Sequence, residues 1–365
     1  MTADTVGGVW TYALELCQAL AVDGVRVELA TLGAPLSPAQ WVEARAVPGL
    51  TLHESSYQLE WMDEPWEDVR ASGEWLLGLE ARLAPDIIHL NGYCHGALPW
   101  RAPVLMVAHS CVLSWWEAVK GEPAPGRYTR YQQEVERGLR AAARVVAPSE
   151  AMLAAAGRHY GPFRSTSVIA NARRAESFLP GPKEPFVLAA GRLWDEAKNL
   201  AALDAVAPRL PFPVRVAGET QHPGGGSDAR AHQVQPLGRL TPEELAGWMA
   251  RAAIYALPAR YEPFGLSVLE AALAGCALVL GDIPSLREVW GDAARFVHPD
   301  DGDGLARTLT ELMANPTGRE RLAARARARA LTFTPRRMAE AYLELYAALR
   351  ARPSEPRAQP ALHAS

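Results

Sequence analysis

Short apolar segments alternate with predicted helices along this chain, and this alternation is what most constrains its fold. The strands of a first series are predicted at residues 25–30, 86–90, 104–108 and 145–147. Helices are predicted at residues 9–21, 64–83, 128–142 and 150–159. A second series begins with a strand at residue 186, after a segment rich in proline and glycine at 177–185. This order is typical of parallel sheets covered by helices on both faces. The sequence therefore predicts an α/β protein with two doubly wound, Rossmann-like domains.

Composition excludes several classes of protein. The chain has 365 residues, of which 49% are hydrophobic and 21% charged, the mixture expected of a folded two-domain enzyme. Its net charge of -4 gives no electrostatic reason to expect nucleic-acid binding. The four cysteines form no CxxC pair, which favours a reducing compartment over a disulfide framework or a zinc site. Since no apolar segment is long enough to span a membrane, we expect a cytoplasmic protein, with peripheral membrane contact left open.

The domain limits follow from these patterns. We predict a first domain at 1–178, a second at 179–334, a helix at 335–351, and a disordered, proline-containing tail at 352–365. Residues 222–228 form a glycine-rich loop that we expect to be mobile. Only the end of a strand precedes Gly7, so we expect the first strand to be truncated and the natural chain to begin several residues earlier.

The segment from Arg260 to Glu270 is the strongest candidate for a binding site. It joins the predicted strand at 254–257 to a helix that ends near residue 274, and Gly265 allows the backbone to approach a ligand closely. Free N–H groups at Gly265, Leu266 and Ser267 then point out of the helix start, where they favour an anion such as phosphate. Glu262 precedes this site, and Glu270 lies in the helix. The alternative interpretation is that Glu262 is an ordinary acidic residue at a helix start and that Glu270 is solvated.

Two further features suggest that the anion is a phosphate. Arg192 and Lys198 follow the first strand of the second domain, from where both could reach one diphosphate. Gly7 and Gly8 precede the first helix, where their N–H groups could contact a phosphate from the other domain. The alternatives are that Arg192 and Lys198 are solvated surface cations and that Gly7 and Gly8 form a simple turn.

Polar side chains follow several strands of the first domain. Asn91, His109 and Ser149 lie at carboxyl ends, where ligands bind in such sheets. We expect the ring of His109 to face a reacting sugar; the alternative is a histidine hydrogen-bonded within a loop. Aromatic residues at 57–66 and 115–116 are predicted in loops, where they could stack on a sugar or simply pack.

Together these features resemble a known family. The matched features are Gly7-Gly8, His109-Ser110, Ala147-Pro148-Ser149, Gly191-Arg192 with Lys198-Asn199, and Glu262-Pro263-Phe264-Gly265 to Glu270. In this order they resemble the retaining, nucleotide-sugar-dependent glycosyltransferases of family 4 (group 1 type), which have the GT-B fold of two Rossmann-like domains facing a cleft. The chain departs from the family pattern at Asn171-Ala172, where Asn-Gly is usual.

The resemblance implies a donor-binding role for several positions. Arg192 and Lys198 would bind the donor diphosphate together with the helix start at 265–267. Gly7 and Gly8 would approach it from the first domain. Because His and Asp residues are not at metal-ligand spacing, no metal site is expected, and the two cations would replace a divalent ion.

The remaining roles concern the sugar, the ribose and the base. Glu270 would bind the ribose hydroxyls and Glu262 the hydroxyls of the donor sugar. His109 would lie near the anomeric carbon. The backbone of residues 237–240, including Gly238 and Leu240, would meet the nucleobase.

The function implied is transfer of a hexose, with retention of configuration, from a nucleotide-diphosphate sugar to a small-molecule, glycan or lipid acceptor. The donor is a co-substrate, and no further cofactor is expected. Two alternatives stay open: a sugar-nucleotide epimerase of the same fold and a non-catalytic nucleotide-sugar-binding protein. A glycoside hydrolase is not favoured, because Glu262 and Glu270 flank a phosphate site instead of facing each other across a glycosidic bond.

Overall fold

The computed structural model describes residues 1–218 and 233–351. The predicted glycine-rich loop at 222–228 and the predicted tail at 352–365 therefore lie outside the described residues. The strands of the first lobe are β1 (Thr2–Asp4), β2 (Val27–Leu32), β3 (Leu50–His53), β4 (Ile88–Leu90), β5 (Val104–Val107), β6 (Arg144–Ala147) and β7 (Thr166–Val168). Its helices are α1 (Gly8–Ala21), α2 (Pro38–Arg45), α3 (Trp66–Leu83), α4 (Val112–Lys120), α5 (Thr129–Ala141) and α6 (Glu150–Tyr160).

All strand pairs of the first lobe are parallel. They form the orders β1-β2-β3, with Thr2 opposite Ala30, and β4-β5-β6-β7, with Ile88 opposite Val104. Asn91 joins the two groups, because its backbone N–H donates to Thr2 Oγ1 at 2.9 Å and its side-chain amide donates to the Thr2 carbonyl at 2.7 Å. Polar groups that follow β4 are thereby held beside β1.

The second lobe repeats this plan. Its strands are β8 (Glu184–Ala190), β9 (Val214–Ala217), β10 (Gln235–Gly238), β11 (Ala252–Leu257), β12 (Ala277–Gly281) and β13 (Arg295–Val297). Its helices are α7 (Leu200–Val206), α8 (Pro242–Arg251), α9 (Leu266–Leu273), α10 (Pro284–Trp290), α11 (Gly302–Ala314) and α12 (Pro316–Ala330), and α13 (Pro335–Arg350) follows them. The parallel strand order β10-β9-β8-β11-β12-β13 reverses between β8 and β11, where a doubly wound sheet binds its ligand.

Helices on both faces explain why the central strands are continuous apolar segments. Every residue of β5, β11 and β12 is buried, as a parallel sheet covered on both sides requires. Helix α13 packs on the first lobe, where Met338, Tyr342 and Leu349 join the core formed by α1. Within the described residues, no helix combines the length and apolarity needed to cross a membrane.

The predicted α/β fold class is confirmed, and the bounds of α1, α3, α5 and α6 differ from the predicted ones by one or two residues. One assignment was wrong: Trp115 and Trp116 lie in helix α4, not in a loop. The short elements α2, β3, β7 and β13 were not predicted. They have three to eight residues, too few for a clear period in hydrophobicity.

Candidate active site between the lobes

The carboxyl ends of the two sheets face each other across a cleft, and hydrogen bonds join the lobes there. Ser149, which caps α6, donates to the Pro263 carbonyl at 2.8 Å. The Trp115 indole donates to Asp195 Oδ1 at 2.9 Å. Glu288 accepts from the backbone N–H of Glu150 at 2.7 Å. The loops after the strands of both lobes therefore line one shared space.

Helix α9 points its amino end into this space. It follows buried β11, and Gly265 at its start has φ 89°, a left-handed conformation that favours glycine. Among the residues the structure describes, no side chain caps this helix, so its first N–H groups can bind an anion. The buried Tyr255 hydroxyl donates to the Ala190 carbonyl at 3.0 Å and lies 2.8 Å from Ser267 Oγ, which fixes the helix start against β8.

The two predicted cations lie close together beside this helix. Arg192 pairs with Asp195 (Nη2 to Oδ2, 3.0 Å) and Lys198 with Glu262 (Nζ to Oε2, 2.7 Å). Burial raises the pKa of Asp195, but the charges of Lys198 and Arg192, together with hydrogen bonds from the Trp115 indole and the Ala197 N–H, outweigh it. The net result is a pKa below the usual value. One carboxylate thus lies within the field of both cations. Glu262 is therefore partly buried and paired with a cation of the same cluster.

Gly7 and Gly8 approach this cluster from the first lobe. Gly7 has φ 96°, and a Cβ at this position would lie 3.7 Å from Arg192 Nη1. A Cβ at Gly8 would lie 3.4 Å from Leu266 Cδ1. The structure therefore brings together the glycine turn, Arg192 and the start of α9.

Glu270 is buried and already holds an ion pair. Arg173 Nε lies 2.8 Å from Glu270 Oε1, and Arg173 Nη1 donates to Glu15 Oε1 at 2.8 Å. Burial raises the pKa of Glu270, the positive charge of Arg173 lowers it, and Glu15 raises it further. The alternative of a solvated Glu270 is therefore wrong.

His109 lies on the first-lobe side of the cleft. Its Nε2 is 2.8 Å from Asn91 Oδ1, and its ring meets the Tyr12 ring edge-on at 4.5 Å between centroids. Burial lowers the pKa of His109 to about 3, so its imidazole is neutral at physiological pH. A neutral ring can donate or accept one hydrogen bond without bringing a charge to a sugar.

Asp4 is a cleft residue that the sequence reasoning missed. It ends β1, and its Oδ1 accepts from the Val6 N–H at 2.6 Å. Burial raises the pKa of Asp4 to about 7, while the Val6 N–H and Arg192 lower it and Glu60 raises it. The signal that drew attention to His109, a polar residue at the carboxyl end of a strand, applies equally to Asp4.

Other predicted positions have different surroundings. Gly238 ends β10 with φ 70° and is exposed, and Leu240 packs on the second-lobe core. Trp115 uses its indole N–H in the contact between lobes, and Trp116 packs against Tyr128 with ring centroids 5.6 Å apart. For the tryptophan pair, packing within and between lobes accounts for these contacts.

Two observations bound the site. Within residues 1–218 and 233–351, no three His, Cys, Asp or Glu side chains are grouped so as to hold a metal ion. A cavity of about 650 Å³ lies elsewhere in the first lobe, between α3 and α5, with Trp66 and Arg130 among its lining residues. The candidate site is therefore identified by the charged side chains and the helix starts that come together there, and not by this cavity.

Comparison with protein families divides the chain at the same place as the fold. A family model described as Glycosyltransferase Family 4 matches residues 6–176, within the first lobe. A model described as Glycosyl transferases group 1 matches residues 184–315, within the second. Together the two models match most of the chain.

Curated relatives carry related names. The chain is 35% identical to a glycogen synthase of Mycobacterium tuberculosis over 195 residues, which are 50% of this chain and 46% of that protein. It thus spans about half the length of the first curated relatives it matches. It is 29% identical to a D-inositol 3-phosphate glycosyltransferase of Xylanimonas cellulosilytica over 394 residues, 93% of this chain and 91% of that one.

Solved structures share the architecture. Sucrose-phosphate synthase from Thermosynechococcus elongatus has a TM-score of 0.81 at 20% identity, covering 94% of both chains. Anabaena HepE, solved in complex with UDP and glucose, has a TM-score of 0.72 at 16% identity, covering 94% of this chain and 96% of that one. At such identities the likeness establishes the two-lobed fold alone.

Proposed function

We propose that this chain, which belongs to the glycosyltransferases with a Family 4 and a group 1 domain in the GT-B fold, transfers a hexose from a nucleotide-diphosphate sugar to an acceptor hydroxyl. One observation carries the proposal. Arg192, Lys198 and the uncapped start of α9 converge in the second lobe, opposite the turn of Gly7 and Gly8.

The chemistry of the leaving group explains this arrangement. When the bond between the sugar and the diphosphate breaks, its electron pair stays on the phosphate oxygen, and negative charge develops there. Arg192, Lys198 and the N–H groups of α9 would stabilise that charge from fixed positions, which lowers the barrier to transfer. We propose that these groups perform the role of a divalent ion. In keeping with such a donor, HepE structures contain UDP or UDP-glucose.

We further propose that configuration is retained by front-face substitution. The acceptor oxygen would bond to the anomeric carbon on the side from which the diphosphate leaves, and the acceptor proton would pass to the departing phosphate oxygen. A neutral His109 would hydrogen-bond the sugar near the anomeric carbon. Glu262 would accept hydrogen bonds from sugar hydroxyls, and the backbone of Gly238 and Leu240 would contact the base. An inverted product anomer, identified by proton NMR, would contradict retention.

The acceptor class is proposed from the relatives. Their names include glycogen synthase, D-inositol 3-phosphate glycosyltransferase and phosphatidyl-myo-inositol mannosyltransferase. The acceptor proposed for this chain is therefore a hydroxyl of a glycan, a polyol or a lipid headgroup. The first-lobe segment at 57–66, which follows β3, is proposed to contact it.

A binding experiment tests the donor site. UDP, GDP and ADP are first compared by thermal shift, and the tightest ligand is then titrated calorimetrically. Arg192→Ala and Lys198→Ala should each weaken its binding by about 10- to 100-fold, because each removes a charge-assisted contact to phosphate. Arg307→Ala, which removes an exposed cation on α11, is the matched control and should bind like the parent.

Three outcomes would each count against a part of the proposal. Unchanged affinity in both variants would refute the diphosphate assignment. Binding without transfer to any acceptor, in a parent protein supplied with the matching hexose donors, would refute the enzymatic part. If chelation with EDTA abolished transfer, the substitution of cations for a metal ion would be wrong.

A further inference from the structure

A buried cation joins the two lobes beside the proposed donor site. Arg173 follows β7, at the position where the chain leaves the first lobe, and its side chain is 13% exposed. Its Nη1 donates to Glu15 of α1 at 2.8 Å, and its Nε lies 2.8 Å from Glu270 of α9. The guanidinium also lies over the Phe178 ring, 5.1 Å from its centroid. One side chain therefore contacts helices from both lobes.

The charged groups of this cluster differ in their exposure to water. Glu15 and Glu270 have side chains 3% and 11% exposed, so both carboxylates are largely withdrawn from water. Arg173 is the buried cation between them, and Arg174 adds a half-exposed one 3.4 Å from Glu15. Removing one partner from a buried ion pair leaves an uncompensated charge, which is strongly unfavourable. Without Arg173, Glu270 would be protonated over a wider pH range, since burial and Glu15 both raise its pKa.

Ionisation matters for what Glu270 can bind. A carboxylate accepts hydrogen bonds on both oxygens, whereas a protonated carboxyl group loses part of that capacity. A ribose ring presents two neighbouring hydroxyl donors. The ionised and oriented form of Glu270 can accept from both hydroxyls at once, one on each oxygen, and as a charged acceptor it binds them more strongly than the protonated form.

We propose that Arg173 is a positioning residue that holds Glu270 as an oriented anion for the ribose diol of a nucleotide, and so sets selectivity for ribose. This inference rests on the proposed function, because it takes the ribose subsite of the donor to be at Glu270. Glu15 anchors the other end of Arg173 on α1, the helix that begins at the Gly7–Gly8 turn. The ribose subsite is thereby tied to the lobe opposite the diphosphate cations.

The test compares two ligands that differ only in the diol. The probes are UDP, GDP or ADP, whichever binds the parent protein tightest, and its 2′,3′-dideoxy counterpart, titrated calorimetrically at pH 6 to 9. The parent should prefer the ribose form by about tenfold or more, with little pH dependence, since hydrogen bonds to a charged group are strong. In Arg173→Gln the preference should fall to about two- to threefold at pH 6 and recover as pH rises and Glu270 ionises.

Two further variants keep the test decisive. Arg173→Lys retains the positive charge and should keep a preference that is independent of pH, even if Arg173→Gln folds poorly. Arg174→Gln removes the neighbouring, half-exposed arginine and should retain the parent preference.

The outcomes separate this inference from the proposed function. If Arg173→Gln weakens both probes equally, or retains the full ribose preference at pH 6, the role assigned to Arg173 is overturned while the donor site stands. If the parent binds none of the three nucleotides, the proposed function fails, and this inference fails with it.

Discussion

Replacing Asp4 by Asn tests the electrostatics of the cleft through the stability of the fold. In the folded protein, burial raises the pKa of Asp4 from 3.8 to about 7, against the opposing effects of the Val6 N–H and Arg192. In the unfolded chain the carboxyl group returns to its ordinary pKa near 3.8. The folded state therefore binds the proton more tightly than the unfolded state.

The sign of the pH dependence follows from this difference. Asp4 reduces the free energy of unfolding as pH rises from about 4 to about 7, and the loss is complete above pH 7. A difference of about three pKa units corresponds to about 4 kcal/mol, and we expect about 2–4 kcal/mol because the side chain keeps some contact with water. Asn is neutral, has nearly the same shape, and can still accept from the Val6 N–H.

Urea unfolding at pH 4, 5, 6, 7 and 8 measures the effect. Asp4→Asn should nearly equal the parent at pH 4, exceed its free energy of unfolding by a growing amount as pH rises, and exceed it by about 2–4 kcal/mol at pH 8, with unchanged m-value. Asp63→Asn removes an exposed carboxylate from the same lobe and should follow the parent at every pH. A variant that tracks the parent throughout, or is less stable at pH 8, would refute the reasoning.

Two further changes test the packing of the first lobe. Gly138→Ala would place a Cβ in severe overlap with the Tyr93 carbonyl oxygen, so we expect it to lower the free energy of unfolding by more than about 3 kcal/mol. Gly78→Ala in α3 meets open space and should raise the free energy of unfolding by about 0.5–1 kcal/mol. Equal effects in urea titrations would contradict the contact at Gly138. Tyr342→Phe removes the 2.6 Å hydrogen bond to Tyr12 and should cost about 1 kcal/mol in the same assay; a neutral result would mean that this bond does not hold α13 to the lobe.

The sequence was sufficient for the parts of the structure that depend on local pattern. Alternating strands and helices predicted both sheets, and the glycine and proline residues before α9 predicted where that helix begins. Asp4 also ends a strand, as Leu90 does before Asn91, so the same signal applies to it. With only three residues, β1 is too short to show a period in hydrophobicity that would locate its end.

Long-range contacts could not be predicted in this way. Arg173 meets Glu15 and Glu270, which are far from it in the sequence, and no local pattern of the linker indicates either partner. The sequence predicts Trp115 in a loop, yet it lies in α4, which places its indole against Asp195 of the other lobe. In each case the position is determined by tertiary packing.

The ion pairs of the cleft give the proposed mechanism a further consequence. Lys198 contacts Glu262 and Arg192 contacts Asp195, so a diphosphate would bind by exchanging partners with these carboxylates instead of meeting bare cations. The exchange reduces the net affinity for the diphosphate, because each cation gives up an existing contact. It also frees Glu262 at the moment the donor binds, when its oxygens can accept hydrogen bonds from the sugar. Recognition of the diphosphate and of the sugar would then be coupled through the salt bridge between Lys198 and Glu262. When Lys198 binds the diphosphate, it would release the Glu262 carboxylate, which is the group that binds the sugar.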